Sequence, residues 1–183
     1  MTTSKRVLII ISGSVAAYKT LDLLRLLREK SYEINVVMTE GAKQFVTPLS
    51  VAALARAKVY DDLWSLKDET EMGHIRLARE NDIVVIAPAS ADIIAKYANG
   101  FANDLASTLL LATNSPVLIV PAMNSSMWSN QAVARNVARL IADGAKFVGP
   151  DNGALACGEE GAGRMVAVEE IFSAITKILS EKN

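Results

Sequence analysis

Three side chains in this sequence carry chemistry that a packed core does not need. His74, the only histidine, follows Gly73 and opens a short helical pattern over 74–80. An imidazole there is a candidate general base, although a capping or solvent-facing histidine fits the same residues. Asn124 closes an apolar run within residues 121–128 (PAMNSSMW). Its carboxamide can serve as a turn or cap residue, or it can donate to a bound carboxylate or oxyanion. A hydrogen bond to such a charged partner contributes roughly 1.5–3 kcal/mol. Cys157, the only cysteine, lies in 156–164 (ACGEEGAGR) among glycines and carboxylates, which argues against a core position. With an ordinary thiol pKa of about 8.5 it is mostly protonated near neutral pH. The neighbouring Glu159 and Glu160 favour that state and Arg164 opposes them. A neutral thiol on a glycine-rich flap suits a proton donor better than a nucleophile, and no second histidine is present to act as its base.

Small and hydroxylated residues recur where apolar runs end: Gly13-Ser14-Val15, Thr39-Glu40-Gly41, residues 88–92 (PASAD) and residues 121–124 (PAMN). Small residues let a ligand approach the backbone, and hydroxyls and helix N-termini donate to phosphate. The first of these turns, 12–17 (SGSVAA), has one glycine where the dinucleotide fingerprint needs three. Lys19 does not follow the glycines that a Walker A loop requires. One glycine with Ser14 suits a single phosphate better than a pyrophosphate, which favours a mononucleotide such as FMN. An ordinary strand-to-helix turn with serine as N-cap is the alternative.

These residues need a scaffold, and the hydrophobic pattern supplies one. Runs at 6–12, 33–39, 82–88, 116–121 and 145–148 read as strands. The first, third and fourth are nearly continuous Val, Ile and Leu, as expected of parallel strands covered on both faces. Residues 16–30 carry leucines at 21, 24 and 27, a helical stripe. Thr47-Pro48 reads as an N-cap with proline at the first helical position. Helices are also expected at 103–113, at 126–143 with Gly144 as its stop, and at 168–181. Strand and helix alternate, which predicts an α/β protein: one doubly wound parallel sheet, Rossmann-like, in three α/β/α layers with right-handed crossovers. In such a sheet ligands bind outside the carboxyl ends of the strands. Two segments break the rhythm. Residues 61–73 are polar and aperiodic. Residues 149–163 hold five of the ten glycines together with Cys157 and read as a structureless loop, a substrate flap at about 149–164.

Composition narrows the field. A chain of 183 residues is expected to form one domain over 1–183. Hydrophobic residues at 51% against 21% charged exclude a disordered chain. A net charge of −1 without a basic block lacks the electrostatic footprint of a nucleic-acid binder. One histidine and one cysteine cannot form a His/Cys metal cluster; a site of carboxylates alone stays open, but no spacing suggests one, and no metal is expected. A single cysteine cannot form an internal disulfide, which suits a reducing compartment. Lys5-Arg6 precede an apolar run of five residues, shorter than the roughly seven of a signal peptide. No run approaches the roughly 18 apolar residues of a membrane span. A cytoplasmic, soluble protein is expected.

Taken together, residues 13–19 (GSVAAYK), 73–75 (GHI), 88–96 (PASADIIAK), 103–105 (NDL), 121–128 (PAMNSSMW), 149–151 (GPD) and 156–164 (ACGEEGAGR) resemble the homo-oligomeric flavin-containing Cys decarboxylases over nearly the whole chain. The resemblance is to the branch that converts 4'-phosphopantothenoylcysteine into 4'-phosphopantetheine in coenzyme A biosynthesis. It implies an FMN phosphate at Gly13, Ser14 and Val15 with help from Thr39, and a ring and ribityl chain against Ser90, Ala91, Asp92 and Ala122. Some members carry Asn where this sequence has Asp92. The resemblance further implies His74 as base, Asn124 as holder of the substrate carboxylate, Cys157 as acid, and substrate contacts from the backbone at Ala154 and Ala156. Homotrimers are implied, with four trimers gathering into a dodecamer in bacterial members, as is a phosphopantothenoylcysteine synthetase partner, separate or fused in a longer parent chain. Two other readings belong to the same scaffold: a peptidyl-cysteine decarboxylase and a non-catalytic flavin-binding regulatory subunit. The flavin prenyltransferase branch lacks both the cysteine flap and the Pro-Ala-Met-Asn run.

Overall fold

The structure, a computed structural model, describes residues 4–63, 73–156 and 158–181. In chain order its elements are β1 (Arg6–Ile11), α1 (Ala17–Glu29), β2 (Glu33–Met38), a 3-10 turn (Ala42–Gln44), α2 (Pro48–Ala55), β3 (Val59–Tyr60), α3 (Gly73–Arg79), β4 (Ile83–Ala89), α4 (Ala91–Ala98), α5 (Leu105–Ala112), β5 (Val117–Pro121), α6 (Ser125–Trp128), α7 (Gln131–Ala142), β6 (Lys146–Phe147), β7 (Asp151–Ala154), β8 (Glu160–Arg164) and α8 (Val168–Glu181). The strands β1 to β6 form one sheet in the order β3-β2-β1-β4-β5-β6, and every neighbouring pair in it is parallel. The doubly wound α/β sheet expected from the alternating pattern is therefore the fold.

The continuous apolar runs follow from the pleat. Val7, Ile9 and Ile11 of β1 point to one face, where they pack with Leu23, Leu24 and Leu27 of α1 and Ile171 and Ile175 of α8. Leu8 and Ile10 point to the other, against Ile93 and Ile94 of α4 and Leu105 and Leu109 of α5. Successive side chains alternate across a strand, so a strand with helices on both sides must be apolar at every position. Fully burying each such side chain contributes about 1.5–3 kcal/mol.

Three expectations need correction. The helix expected over 126–143 is broken into α6 and α7, because Asn130 caps the second one: its Oδ1 accepts from the Ala132 N–H at 2.9 Å. The glycine-rich segment is no structureless loop, since β7 and β8 pair as an antiparallel hairpin. The helix α4 and the short strand β3 had no counterpart among the expected elements. The irregular segment expected at 61–73 lies mostly outside the described residues. No helix among the described residues is long and apolar enough to cross a membrane.

The start of α5 matters to the site because it fixes a partly buried cation. Asp104 is the N-cap: its Oδ1 accepts from the Ser107 N–H at 2.8 Å, and the Ser107 hydroxyl accepts from the Asp104 N–H at 3.2 Å. Lys96 Nζ lies 3.0 Å from the other Asp104 oxygen. Burial pushes the Asp104 carboxyl up, but the hydrogen bonds from Ser107 and Lys96 outweigh it and leave the group below its ordinary range. A carboxyl lowered by folding lends stability above its unfolded pKa and loses it as pH falls through the folded value. Asp104→Ala is therefore expected to cost about 1–2 kcal/mol at neutral pH. That difference should shrink steadily as the solution is acidified below a pH of about 4. Urea unfolding of both proteins across pH checks it, and a difference that does not change with pH would refute the assignment.

Candidate functional site

The strand order reverses between β1 and β4, and the crevice outside their carboxyl ends is where an open α/β sheet takes ligands. The end of β4 poses a hydrogen-bonding problem. Pro88 has no N–H, and the pairing with β5 shifts register between Ile86 and Ala89. Two buried hydroxyls take up the carbonyls there. Thr20 Oγ1 on α1 donates to the Ala87 carbonyl at 2.8 Å. Ser12 Oγ, at the end of β1, donates to the Pro88 carbonyl at 2.7 Å and accepts from the Ser90 N–H at 2.8 Å. Ser12 thereby holds the 13–15 loop beside the 90–92 loop. The β2 loop joins them through glycine: a Cβ on Gly13 would meet Gly41 Cα at 3.0 Å, so these two backbones touch with no side chain between them.

A cavity of about 700 Å³ opens over these loops. Gly13, Ser14, Val15, Ser90, Ala91 and Ala122 line its floor, and Ala154 and Ala156 of the hairpin line its opposite wall with Asn124. A second cavity of about 570 Å³ shares Gly13, Ser90 and Ala91 and continues over Thr39 and Asp92. The strand-end residues singled out in the sequence thus surround two adjoining hollows. Ser14 is not the N-cap of α1, a place that Ala16 takes without a side-chain hydrogen bond. Asp92 lies in the first turn of α4 with its carboxylate 3.1 Å from Lys96 Nζ. Burial alone would lower the Lys96 ammonium, but Asp104 and Asp92 hold it above its ordinary value.

Of the two roles its sequence allowed, the structure shows Asn124 in the capping one. It is the N-cap of α6, with Oδ1 accepting from the Ser126 N–H at 2.8 Å and the Met127 N–H at 3.2 Å. With the oxygen so engaged, Nδ2 faces the hairpin and donates to Glu159 Oε2 at 2.7 Å. The hairpin is pinned beside it, because the Met123 N–H donates to the Gly163 carbonyl at 2.9 Å. Gly163 has φ +143, and a Cβ there would lie 2.3 Å from the Met123 carbonyl oxygen.

His74 is half-buried in the first turn of α3, and it lines neither cavity. Cys157 lies outside the described residues. Sequence reasoning missed Ser12 and Thr20, whose only signal was a hydroxyl at the end of an apolar strand and another inside an apolar helix stripe. It also missed Lys19, Met127 and Arg164 as cavity-lining residues, and Glu159 as a partner of Asn124. Among the described residues no group of His, Cys, Asp and Glu could hold a metal ion.

Comparison with known proteins places this architecture. A family model described as Flavoprotein matches residues 1–180. The coenzyme A biosynthesis bifunctional protein CoaBC of Haemophilus influenzae is 45% identical over 178 residues, which cover 97% of this chain and 44% of that protein. This chain therefore spans less than half the length of that relative. A solved structure of a Cys-to-Ser mutant of PPC decarboxylase, complexed with pantothenoylaminoethenethiol, superposes with a TM-score of 0.88 at 31% identity, covering 97% of this chain and 99% of that one. The FMN-binding protein AtHal3 superposes with a TM-score of 0.84 at 31% identity, covering 97% and 98%.

The glycine contact between hairpin and sheet has a measurable cost. Gly163→Ala forces a methyl group against the Met123 carbonyl in a backbone conformation that alanine resists, a strain of about 1–3 kcal/mol. Thermal unfolding is expected to move down by about 2–4 °C for each kcal/mol. The Met123 amide should exchange faster with deuterium. An unchanged exchange rate at Met123 would mean that the hairpin docks without this contact.

Proposed function

The chain belongs to the flavoprotein family, and on that premise we propose that it binds FMN and decarboxylates 4'-phosphopantothenoylcysteine to 4'-phosphopantetheine. One observation carries the reading. Asn124 turns a fixed amide donor toward a carboxylate oxygen, beside a cavity floored by small strand-end residues. The family resemblance and the likeness to PPC decarboxylase support the same assignment.

The residues present fit the cofactor. Gly13, Ser14, Ala91 and Ala122 bring only small side chains to the cavity, and the volume lies within the range of ligand pockets, about 300–1,000 Å³. Gly13, Ser14 and Val15 precede α1, whose N-terminal end favours an anion. They would hold the phosphate with Thr39, while Ser90, Ala91, Asp92 and Ala122 would hold the ribityl chain and ring. FMN, when bound, supplies the two-electron exchange that oxidises the thiol carbon to a thioaldehyde and later reduces the decarboxylated product.

The chain's own residues do the rest. His74 takes the proton of the substrate thiol. Asn124 holds the substrate carboxylate through Nδ2. Once a C=S group stands β to that carboxylate, the electrons of the breaking C–C bond move into it, carbon dioxide leaves and an ene-thiol remains. Cys157 returns a proton to carbon, and the hairpin over 151–164 excludes water as the flap of a single flavoprotein domain. The balance is one carbon dioxide lost with no net oxidation.

His74 lines neither cavity, so in this reading a second copy of the chain brings it to the substrate. Apolar side chains at the cavity support such a cover: Val15 is 50% exposed, Tyr18 57% and Met127 47%. Homotrimers, which can gather four at a time into a dodecamer, answer that need. The synthetase that makes the substrate is then a separate partner or the remainder of a longer parent protein, and the setting is cytoplasmic.

The purified protein should be yellow, release FMN on acid treatment, and convert 4'-phosphopantothenoylcysteine into a product lighter by one carbon dioxide. A cysteine-ending peptide offered in parallel should be left intact. A colourless protein that FMN cannot reconstitute would overturn the proposal, and turnover of the peptide alone would replace the substrate. His74→Asn should retain FMN but lose anaerobic flavin reduction by substrate; reduction at the normal rate removes His74 from the reaction. Asn124→Asp keeps the cap on α6 and should keep FMN, but it replaces the donor with a second negative charge. Its KM is expected to rise about 10- to 150-fold, the equivalent of one charged hydrogen bond. An unchanged KM would take the carboxylate away from Asn124.

A further inference from the structure

We infer that Glu159 holds the seat of the substrate carboxylate: its side chain occupies the donors of Asn124 and Ser125 when no substrate is bound, and an incoming carboxylate must displace it. The inference rests on the proposed role of Asn124 and adds a residue to which no function has been assigned. Glu159 Oε2 accepts from Asn124 Nδ2 at 2.7 Å and from Ser125 Oγ at 3.2 Å. The two donors converge on one oxygen, an arrangement that any carboxylate could accept in its place.

The position of Glu159 is built rather than incidental. Its carbonyl accepts from the Leu155 N–H at 2.8 Å, and the Gly158 N–H donates to the Leu155 carbonyl at 2.9 Å, closing the hairpin tip. Just beyond it, a Cβ on Gly161 would come within 3.0 Å of Ser125 Cβ, so glycine lets β8 press against the start of α6. The backbone thus delivers the Glu159 side chain to Asn124. Among the described residues no lysine or arginine pairs with Glu159. The neighbouring Arg164 faces Asp151 at 3.6 Å, and Lys19 donates to the Met165 carbonyl at 3.4 Å. A carboxylate held by neutral donors alone exchanges readily for another.

Exchange is also compulsory. Two carboxylates on one pair of donors repel each other, so the substrate is seated only after Glu159 has left. When carbon dioxide departs, the donors lose their charged acceptor and Glu159 can return. Glu159 therefore competes with ligands that carry the carboxylate and is indifferent to those that have lost it. A seat held for about 70–90% of the time weakens the apparent affinity of the competing ligand about three- to tenfold.

The test compares substrate and product on the same FMN-loaded protein. Glu159→Ala is expected to lower KM for 4'-phosphopantothenoylcysteine about three- to tenfold, while the inhibition constant of 4'-phosphopantetheine stays within about twofold. Glu159→Gln keeps the length and one acceptor without the charge, and should fall between wild type and alanine. It also carries the test if the alanine protein does not fold. If KM and the product constant rise together, Glu159 is only an anchor for the hairpin, and if neither moves, the contact does not compete. A wild-type protein that does not turn over 4'-phosphopantothenoylcysteine fails at the earlier step, and the inference falls with the substrate.

Discussion

The site depends on how the polypeptide satisfies its backbone at the end of β4. A central strand of a parallel sheet is paired on both edges and buried on both faces, so it must either continue or find other partners for its polar groups. At Pro88 the strand stops supplying donors, and the carbonyls that remain are buried. The hydroxyls of Ser12 and Thr20 take them up, and Ser12 also receives the Ser90 N–H. One serine thus ends two strands at once and sets two loops side by side at the point where the sheet reverses. The cavity, the close approach of Gly13 to Gly41 and the start of α4 at Ser90 all take their positions from that junction.

A second layer of the site comes from outside the sheet. The hairpin of β7 and β8 contributes the wall that the strand ends cannot, and it docks through backbone contacts. Gly163 lies where any side chain would strike the Met123 carbonyl, and Gly161 lies where one would crowd Ser125. Gly161 and Gly163 are therefore required for steric as well as conformational reasons: they let β8 come close enough for Met123 to bond to the hairpin and for Glu159 to reach Asn124.

Much of the fold was legible because its constraints are periodic. Continuous Val, Ile and Leu at 7–11 and 83–86 announce strands covered on both faces, and leucines at 21, 24 and 27 announce the helix that covers one of them. The strand-end residues were legible for a related reason, since an open parallel sheet exposes only one end to ligands. What escaped notice has no period. Ser12 looks like one more residue of its strand until the Pro88 carbonyl is placed beside it. Asn130, one of several polar residues in a helical-looking stretch, splits α6 from α7 by capping. The hairpin hid behind its glycines, which lower strand propensity while permitting the docking. The place of His74 away from both cavities could not be read from spacing, because distance between elements is set by packing and not by sequence separation.

Asn124 also bears on how much disorder the ligand must remove. A free asparagine side chain samples several rotamers, and its amide can turn over to exchange oxygen and nitrogen. Here turning over would break two bonds to the first turn of α6 and would present an oxygen to a carboxylate. The helix therefore freezes the side chain before any ligand arrives, so if Asn124 plays its proposed role, entropy that would otherwise be lost at binding has already been lost in folding. Glutamine, one methylene longer, offers the same two atoms with an additional rotation, and aspartate offers the cap without the donor. In the role proposed for Asn124, the bonds that start α6 also aim the donor, so the fold itself sets the direction of the group that would meet a carboxylate.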